Sequence, residues 1–139
     1  LKQYLKKFKN RKEIYYKMYD PLKKVFCGVT RFTMLNEKDH FGFESGVMDV
    51  NSSPNIYIDA MFMIYRIGFE FLKRDYSGPW LVDNNNTRMI GLHNFIGIGK
   101  ITSQNDDYVV FHADRDDHLK RIKYFTRRKF GNIMDLGIT

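Results

Sequence analysis

The residue types that most often carry chemistry are few in this chain and widely spaced. It has four histidines and one cysteine, at His40, His93, His112, His118 and Cys27. The histidines do not fall at the spacing of metal ligands, and no base adjacent in sequence would activate the Cys27 thiol as a nucleophile. The single cysteine also excludes an internal disulfide, which suits a reducing compartment such as the cytoplasm.

Two short motifs resemble ligand sites but have simpler explanations. The acids at residues 114–117 lack the spacing of a calcium loop, whereas aspartates at a helix start cap the helix and favour its dipole. Residues 97–99, Gly-Ile-Gly, lack the third glycine of a dinucleotide-binding loop. Glycines within a strand more often allow a close approach by another group. With no catalytic motif in the sequence, we predict no metal, no cofactor and no enzymatic activity.

The strongest functional signal is a belt of aromatic side chains between residues 57 and 80, beside a few acids. Proteins hold small organic ligands in mostly apolar pockets with a few polar groups. The alternative is that these rings fill an ordinary core. The predicted ligand-binding residues are Tyr57, Asp59, Phe62, Tyr65, Asp75 and Trp80.

The positive charge is concentrated at the start of the chain. The net charge is +7, and the first 24 residues account for all of it. Apolar residues three or four apart between these lysines predict a helix with one face on the core. Lys6, Lys9 and Lys12 are predicted contacts for nucleic acid or an acidic partner, with an anionic membrane as a further option. The alternative, which we favour, is a solvated helix face.

The remaining elements follow from hydrophobic period and turn residues. Pro21 is predicted to start a second helix, with Asp20 as its N-cap and Gly28 at its end. Strands are predicted over residues 29–35 and 40–47, and again over 94–102 and 108–113, each pair as a hairpin. The apolar run over 56–72 favours a helix because of its length. Residues 75–87 read as a loop before a short helix over 87–93, and a last helix follows Asp114.

This order of elements predicts a single α+β domain over residues 1–139. Segregated strand pairs with flanking helices favour an α-β-α sandwich around an antiparallel sheet. No apolar run approaches the roughly 18 residues that a membrane-spanning helix needs. We therefore predict no membrane span.

Two stretches resemble the sensory domain of LuxR-type quorum-sensing regulators, which bind acyl-homoserine lactones. Residues 21–32 resemble that family's helix leading into a Gly-Val-Thr-x-Phe strand, and residues 93–125 resemble its Gly-rich strand, hairpin partner and closing helix. The resemblance implies a signal molecule held by Tyr57, Tyr65 and Trp80, with Asp59 or Asp75 binding the ligand amide. Neither aspartate precedes a proline as the family's does, which leaves the ligand's identity open.

The resulting hypothesis is a cytoplasmic sensory domain that binds a small organic signal and regulates transcription or a partner protein. The resemblance implies a homodimer, and it places a DNA-binding module after the last helix, beyond Thr139. One alternative is a non-enzymatic interaction module that uses its basic N-terminal helix to bind nucleic acid or an acidic protein. A second alternative is an enzyme whose scattered acids and histidines converge only in the folded chain.

Overall fold

The computed structural model describes residues 13–20, 22–33, 38–48 and 54–126, which build a six-stranded sheet with helices packed on it. The elements in chain order are β1 (Glu13–Asp20), β2 (Val25–Thr33), β3 (His40–Met48), α1 (Pro54–Tyr65) with a π-helical continuation (Arg66–Phe71), β4 (Tyr76–Asp83), α2 (Thr87–Ile96), β5 (Gly99–Gln104), β6 (Tyr108–Asp114) and α3 (Arg115–Thr126). The strands lie in the order β1-β2-β3-β4-β6-β5. The α+β class is therefore confirmed.

The predicted N-terminal helix is wrong over the residues that the structure describes. Residues 13–20 form a strand that pairs antiparallel with β2. Tyr15, Tyr16 and Tyr19 fall in this segment, and aromatic residues favour a pleated, half-buried surface. The predicted contact residues Lys6, Lys9 and Lys12 lie outside the described residues.

The second helix, predicted from Pro21, is also wrong. Oδ1 of Asp20 accepts hydrogen bonds from the backbone N–H groups of Leu22 at 2.9 Å and Lys23 at 3.0 Å. An aspartate that bonds the backbone two and three residues on stabilises a turn as readily as a helix start. Here it closes the β1–β2 hairpin, and Gly28 lies inside β2 rather than at a helix end.

Most of the later elements agree with the prediction. β2 and β3 form an antiparallel hairpin, as do β5 and β6. The apolar run is helical, as α1 and its π-helical continuation, and α2 and α3 lie where helices were expected. There are two exceptions. Residues 75–87 were predicted to be a loop and contain β4, and residues 94–96 were predicted to begin a strand but form the end of α2.

The sheet is mixed rather than antiparallel, which corrects the predicted topology. β3 and β4 run parallel, in register at His40 with Tyr76 and at Phe41 with Ser77. The connection between them contains α1, the usual crossover between parallel strands. Every other strand pair is antiparallel.

Aromatic rings of the sheet and of α1 form the centre of the core. Phe41 stacks on Phe32 with ring centroids 5.1 Å apart and meets Phe69 edge-on at 4.9 Å. Phe43 meets Tyr65 edge-on at 5.4 Å. Pairs of this kind add about 0.5–1.5 kcal/mol to the effect of burial. This cluster fixes α1 against β3 on one side of the sheet.

The three described helices contact the same face of the sheet. Phe41 and Ala113 lie on this face because both align with Ser77 across the strands. Phe111, two residues from Ala113, contacts His93 of α2 at 4.8 Å between ring centroids. The predicted sandwich, with helices on both faces, is not confirmed. No helix in the described part of the chain is long and apolar enough to span a membrane.

Candidate functional site

The parallel strands β3 and β4 separate soon after they meet. Their pairing ends at Phe41 and Ser77, although β3 continues to Met48 and β4 to Asp83. A bulge in β4 between Ser77 and Trp80 contributes to the separation, and Pro79 has no N–H with which to continue a ladder. The two strands therefore present facing backbone edges that do not pair with each other.

A cleft of about 430 Å³ opens between these diverging edges. Strand β3 contributes Gly42 and Phe43 to its wall, and helices α1 and α2 close one side. Its lining residues are Thr33, Gly42, Phe43, Tyr57, Gly78, Pro79, Trp80, Leu81, Val82, Met89 and His93. The volume lies within the range of about 300–1,000 Å³ that is usual for small-molecule sites.

Trp80 is held on the wall of the cleft by two glycines. A Cβ atom on Gly78 or on Gly99 would lie 2.8 Å from the indole ring, closer than real contacts allow. Gly78 also has a φ of +104°, which side-chain-bearing residues rarely adopt. On its other sides the indole contacts Phe43 at 5.2 Å and Phe111 at 5.9 Å between ring centroids. These contacts fix the direction of its N–H group.

That N–H group points at His93. Nε1 of Trp80 donates to Nε2 of His93 at 3.4 Å. Because Nε2 accepts this bond, the proton of a neutral imidazole lies on Nδ1. Nδ1 is buried and has no hydrogen-bond partner among the described residues. Burial lowers the pKa of His93 from 6.5 to about 4, so its ring is neutral near pH 7.

The cleft is uncharged apart from what a ligand brings to it. None of its described lining residues is acidic or basic, and His93 is neutral. Tyr57 also lines the cleft, and its hydroxyl donates to Sδ of Met89 at 3.2 Å, which links α1 to α2. The site can therefore bind an uncharged, extended group through backbone edges and apolar rings.

The structure brings two of the predicted ligand-binding residues to this cleft, Tyr57 and Trp80. Tyr65 lies behind the wall, where its ring contacts Phe43. Burial raises the pKa of Tyr65 well above 10, and a charge on Tyr57 would raise it further. Phe62 is 1% exposed and belongs to the core cluster. The role of all four in binding a ligand stays a prediction.

The two predicted acids do not line the cleft. Asp59 lies on α1, where burial raises the pKa of its carboxyl group and Oδ1 has no partner among the described residues. Asp75 is exposed and lies near the start of α3, where its backbone oxygen accepts from the N–H of Arg115 at 2.9 Å.

His93 is the residue that sequence reasoning missed. Its spacing from the other histidines carries no signal, because its hydrogen-bond partner is a tryptophan on another element. One signal was present in the sequence, the helical period of residues 87–96. It places His93 on the same face of α2 as Met89, Leu92 and Ile96, and a histidine on an apolar face is expected to be buried. His93 is indeed 3% exposed.

Comparisons with known proteins identify the architecture. No protein-family profile matches the chain, and no curated protein is significantly similar to it. Solved structures do match. FdhC, a nucleotide-linked sugar GNAT, superposes with a TM-score of 0.76 at 16% identity, covering 91% of this chain and 70% of that chain.

Two bacterial enzymes match in the same way. The N-acetyltransferase PseH of Campylobacter jejuni, solved with acetyl coenzyme A, gives a TM-score of 0.63 at 17% identity over 81% of this chain and 75% of its own. The spermidine/spermine N-acetyltransferase SpeG of Vibrio cholerae gives 0.69 at 12% identity over 86% and 75%. The chain has the GNAT fold. At these identities the likeness establishes the fold alone.

The GNAT fold corrects the predicted family and the functions that were predicted with it. The chain is not a LuxR-type sensory domain, because the similar structures are GNAT N-acetyltransferases and the sheet contains a parallel strand pair. The predictions of quorum sensing, transcription regulation and a non-enzymatic interaction module are wrong for the same reason. The prediction that the chain is not an enzyme is also contradicted, because the proteins that share its fold are acetyltransferases.

Proposed function

We propose that this protein is an acyltransferase that moves an acyl group from a coenzyme A thioester to an amine. The observation that carries the proposal is the uncharged cleft between the diverging strands β3 and β4, with neutral His93 in its wall. The GNAT fold supports it, since the similar structures are N-acetyltransferases and PseH was solved with acetyl coenzyme A.

The cleft suits the thioester arm of such a donor. That arm is uncharged and extended, and it carries amide groups. The facing edges of β3 and β4 offer backbone N–H and C=O groups that can pair with amides as an added strand would. Phe43 and Trp80 provide apolar contacts on either side. The predicted binding residues Tyr57 and Trp80 would thus contact the acyl donor rather than a signal molecule.

The charged part of the donor needs a different place, and the start of α1 offers one. A helix N-terminus carries unsatisfied N–H groups and a partial positive charge, which together favour phosphate groups. The first turn of α1 contains no acidic residue that would oppose this. Tyr57, in that part of the helix, already lines the cleft. We therefore place the phosphates of the donor at this end of α1.

His93 would stabilise the charge that develops during transfer. The amine nitrogen attacks the thioester carbonyl carbon, a C–N bond forms, the C–S bond breaks, and the sulfur takes up the proton that the nitrogen loses. Negative charge develops first on the carbonyl oxygen and then on the sulfur. We assign this role to Nδ1–H of His93, which has no hydrogen-bond partner among the described residues, and Trp80 keeps the proton on that nitrogen. Such preorganised donors contribute about 10²–10³-fold to the rate.

The acceptor must arrive as a neutral amine. No described residue that lines the cleft is acidic, so the cleft wall offers no carboxylate as a base. The pKa of His93 is about 4, so its ring is too weak a base to remove a proton from an ammonium group near pH 7. The rate should therefore rise with pH as the acceptor loses its proton. A polycation such as the substrate named for SpeG finds no carboxylate in the described cleft wall, so we favour a monoamine of low pKa as the acceptor.

The experiment uses Trp80, the one tryptophan of the chain, as a built-in reporter. Its indole lies in the cleft wall, so acetyl coenzyme A should change the intrinsic fluorescence with saturation. Release of the coenzyme A thiol is then followed with a thiol reagent over a panel of primary amines, with a no-amine control for hydrolysis. The proposal fails if acetyl coenzyme A leaves the fluorescence unchanged and no amine releases thiol above the control.

The remaining predictions stay open beside this proposal. A coenzyme A thioester as substrate would agree with a cytoplasmic location, where such thioesters are available. The single domain over residues 1–139 and the homodimer are also still predictions. The sequence predicted a small organic signal molecule as the partner. We keep a small organic molecule as the partner, but propose that it is the acyl donor.

A further inference from the structure

The turn between β1 and β2 exposes several large apolar side chains. Leu22 is 93% exposed, and Tyr19 and Phe26 are 57% and 54% exposed. Tyr19 and Phe26 are direct partners across the strands, so their rings lie beside each other at the end of the hairpin. Single exposed apolar residues are common on protein surfaces, but three together at the end of one hairpin mark an interaction surface.

The turn that carries Leu22 is held in one shape. Asp20 is 3% exposed, and its Oδ1 accepts from the backbone N–H groups of Leu22 and Lys23 at 2.9 and 3.0 Å. The turn would therefore lose little conformational entropy when Leu22 binds to a partner surface.

The exposed charges along this turn, from Lys17 to Phe26, have one sign. Lys17 and Lys24 are exposed, and Lys23 lies between Leu22 and Lys24. Between residues 17 and 26 the only acid is Asp20, which is buried. A second copy of the chain would bring these lysines against each other, so self-association through this surface is disfavoured. The partner must be anionic.

We propose that the β1–β2 turn docks on an anionic membrane surface, with Leu22 and Phe26 in the headgroup region and the lysines on the lipid phosphates. Apolar side chains flanked by lysines are the composition of segments that lie in a membrane interface. A projecting turn enters a soft interface directly, whereas an acidic protein would have to offer a matching pocket. Docking here leaves the cleft between β3 and β4 free, so it does not depend on the acyltransferase proposal.

The test is flotation of the full chain with vesicles of phosphatidylcholine, with and without phosphatidylglycerol. The wild-type chain should float only with the anionic vesicles. The double variant Leu22→Ser, Phe26→Ser should lose at least about tenfold in partition coefficient, because it loses two apolar anchors. The matched control is Phe95→Ser, Ile101→Ser, which removes a phenylalanine and an aliphatic side chain that are 48% and 47% exposed elsewhere.

Three results would overturn the proposal. The wild-type chain could fail to float with either vesicle. The double variant could bind as tightly as wild type, which would assign binding to lysines elsewhere in the chain. Alternatively, the wild-type chain could elute as an oligomer that the double variant converts to a monomer, which would make the turn a contact between copies. A thermal unfolding midpoint measured for each variant separates these results from loss of the fold.

Discussion

Two buried histidines, His93 on α2 and His118 on α3, occupy similar surroundings and have different partners. They are 3% and 0% exposed, and burial lowers the pKa of each. Nε2 of His93 accepts from the indole of Trp80 at 3.4 Å. Nε2 of His118 lies 2.8 Å from Oε1 of Glu70, whose hydrogen bond partly opposes the effect of burial.

The partners decide what each imidazole can do. His93 borders a cleft whose described lining residues carry no charge. In the proposed mechanism its Nδ1–H donates to the bound acyl group, and no charged side chain of the cleft wall competes for that hydrogen bond. His118 is enclosed by the rings of Phe69 and Tyr65, with centroids 5.3 and 6.3 Å from its own, and its bond to Glu70 ties α3 to the π-helical continuation of α1. We infer that His93 serves chemistry and His118 serves stability.

The largest expected effect is on catalysis. We expect His93→Phe to lower the rate of acyl transfer by about 10²–10³-fold, because it removes one preorganised donor and keeps a ring of similar shape. The free energy of unfolding should fall by about 1–3 kcal/mol, because the indole N–H of Trp80 loses its acceptor. Steady-state kinetics with denaturation curves measures both. His112→Phe, on the opposite face of the sheet, is the matched control and should keep full activity.

The second expected effect is on the pH dependence of stability. The pKa of His93 is 6.5 in the unfolded chain and about 4 when folded. The neutral ring is buried without an electrostatic penalty above pH 6.5. As pH falls from 6.5 through 4 the unfolded chain binds a proton that the folded chain does not, so the free energy of unfolding falls by up to about 3 kcal/mol. Denaturant unfolding of the wild type and of His93→Phe between pH 6.5 and 4 measures this. The free energy of unfolding of the variant should fall less steeply with decreasing pH than that of the wild type. Equal slopes would mean that His93 does not titrate as proposed.

The third effect separates the two histidines by stability. His118→Ala should destabilise the fold by about 2–3 kcal/mol, because it leaves a cavity beside Phe69 and removes the partner of Glu70. The rate of acyl transfer by the folded fraction should fall by less than about threefold. A loss of activity as large as that of His93→Phe would end the distinction drawn between the two residues.

The smallest effect tests whether Trp80 must be held in place to direct His93. A Cβ on Gly99 would lie 2.8 Å from the indole, so Gly99→Ala should cost about 1–3 kcal/mol and lower activity about tenfold as the ring shifts. Gly91→Ala on α2 is the control, because a Cβ there meets nothing within 4 Å. That variant should stabilise the helix by about 0.5–1 kcal/mol and leave activity unchanged. Similar activity of the two variants would contradict a positioning role for Trp80.

The sequence predicted those elements whose signal is local. The β5–β6 hairpin, α1 and α3 follow from period and turn residues, and the expected close approach at the glycines of residues 97–99 is met by the ring of Trp80 on Gly99. Strand β1 was mistaken for a helix because lysines and aromatic residues alternate in a way that fits both periods. Strand β4 was mistaken for a loop because Gly78 and Pro79 interrupt it.

The site could not be predicted because it depends on pairing between distant strands. Tyr57 and Trp80 were singled out as aromatic residues, but nothing local indicates that β3 and β4 run parallel and then part. His93 meets Trp80 only because β4 pairs with β6, which puts Trp80 opposite Phe111. These contacts depend on strand pairing between distant parts of the sequence. The hydrophobic period and the composition of a single segment therefore do not predict them.

The short parallel pairing of β3 and β4 has a consequence for amide hydrogen exchange. Successive N–H groups of a strand point to opposite edges, so along residues 42–45, before the register shift in the β2–β3 pair, alternate amides face β2 and the edge that borders the cleft. Amides bonded to β2 should exchange slowly, while those that face the cleft should exchange quickly, giving a period of two along one strand. A ligand that forms hydrogen bonds with this edge of β3 would slow the exchange of only the amides that face the cleft. Exchange rates measured residue by residue would therefore show where the ligand is bound.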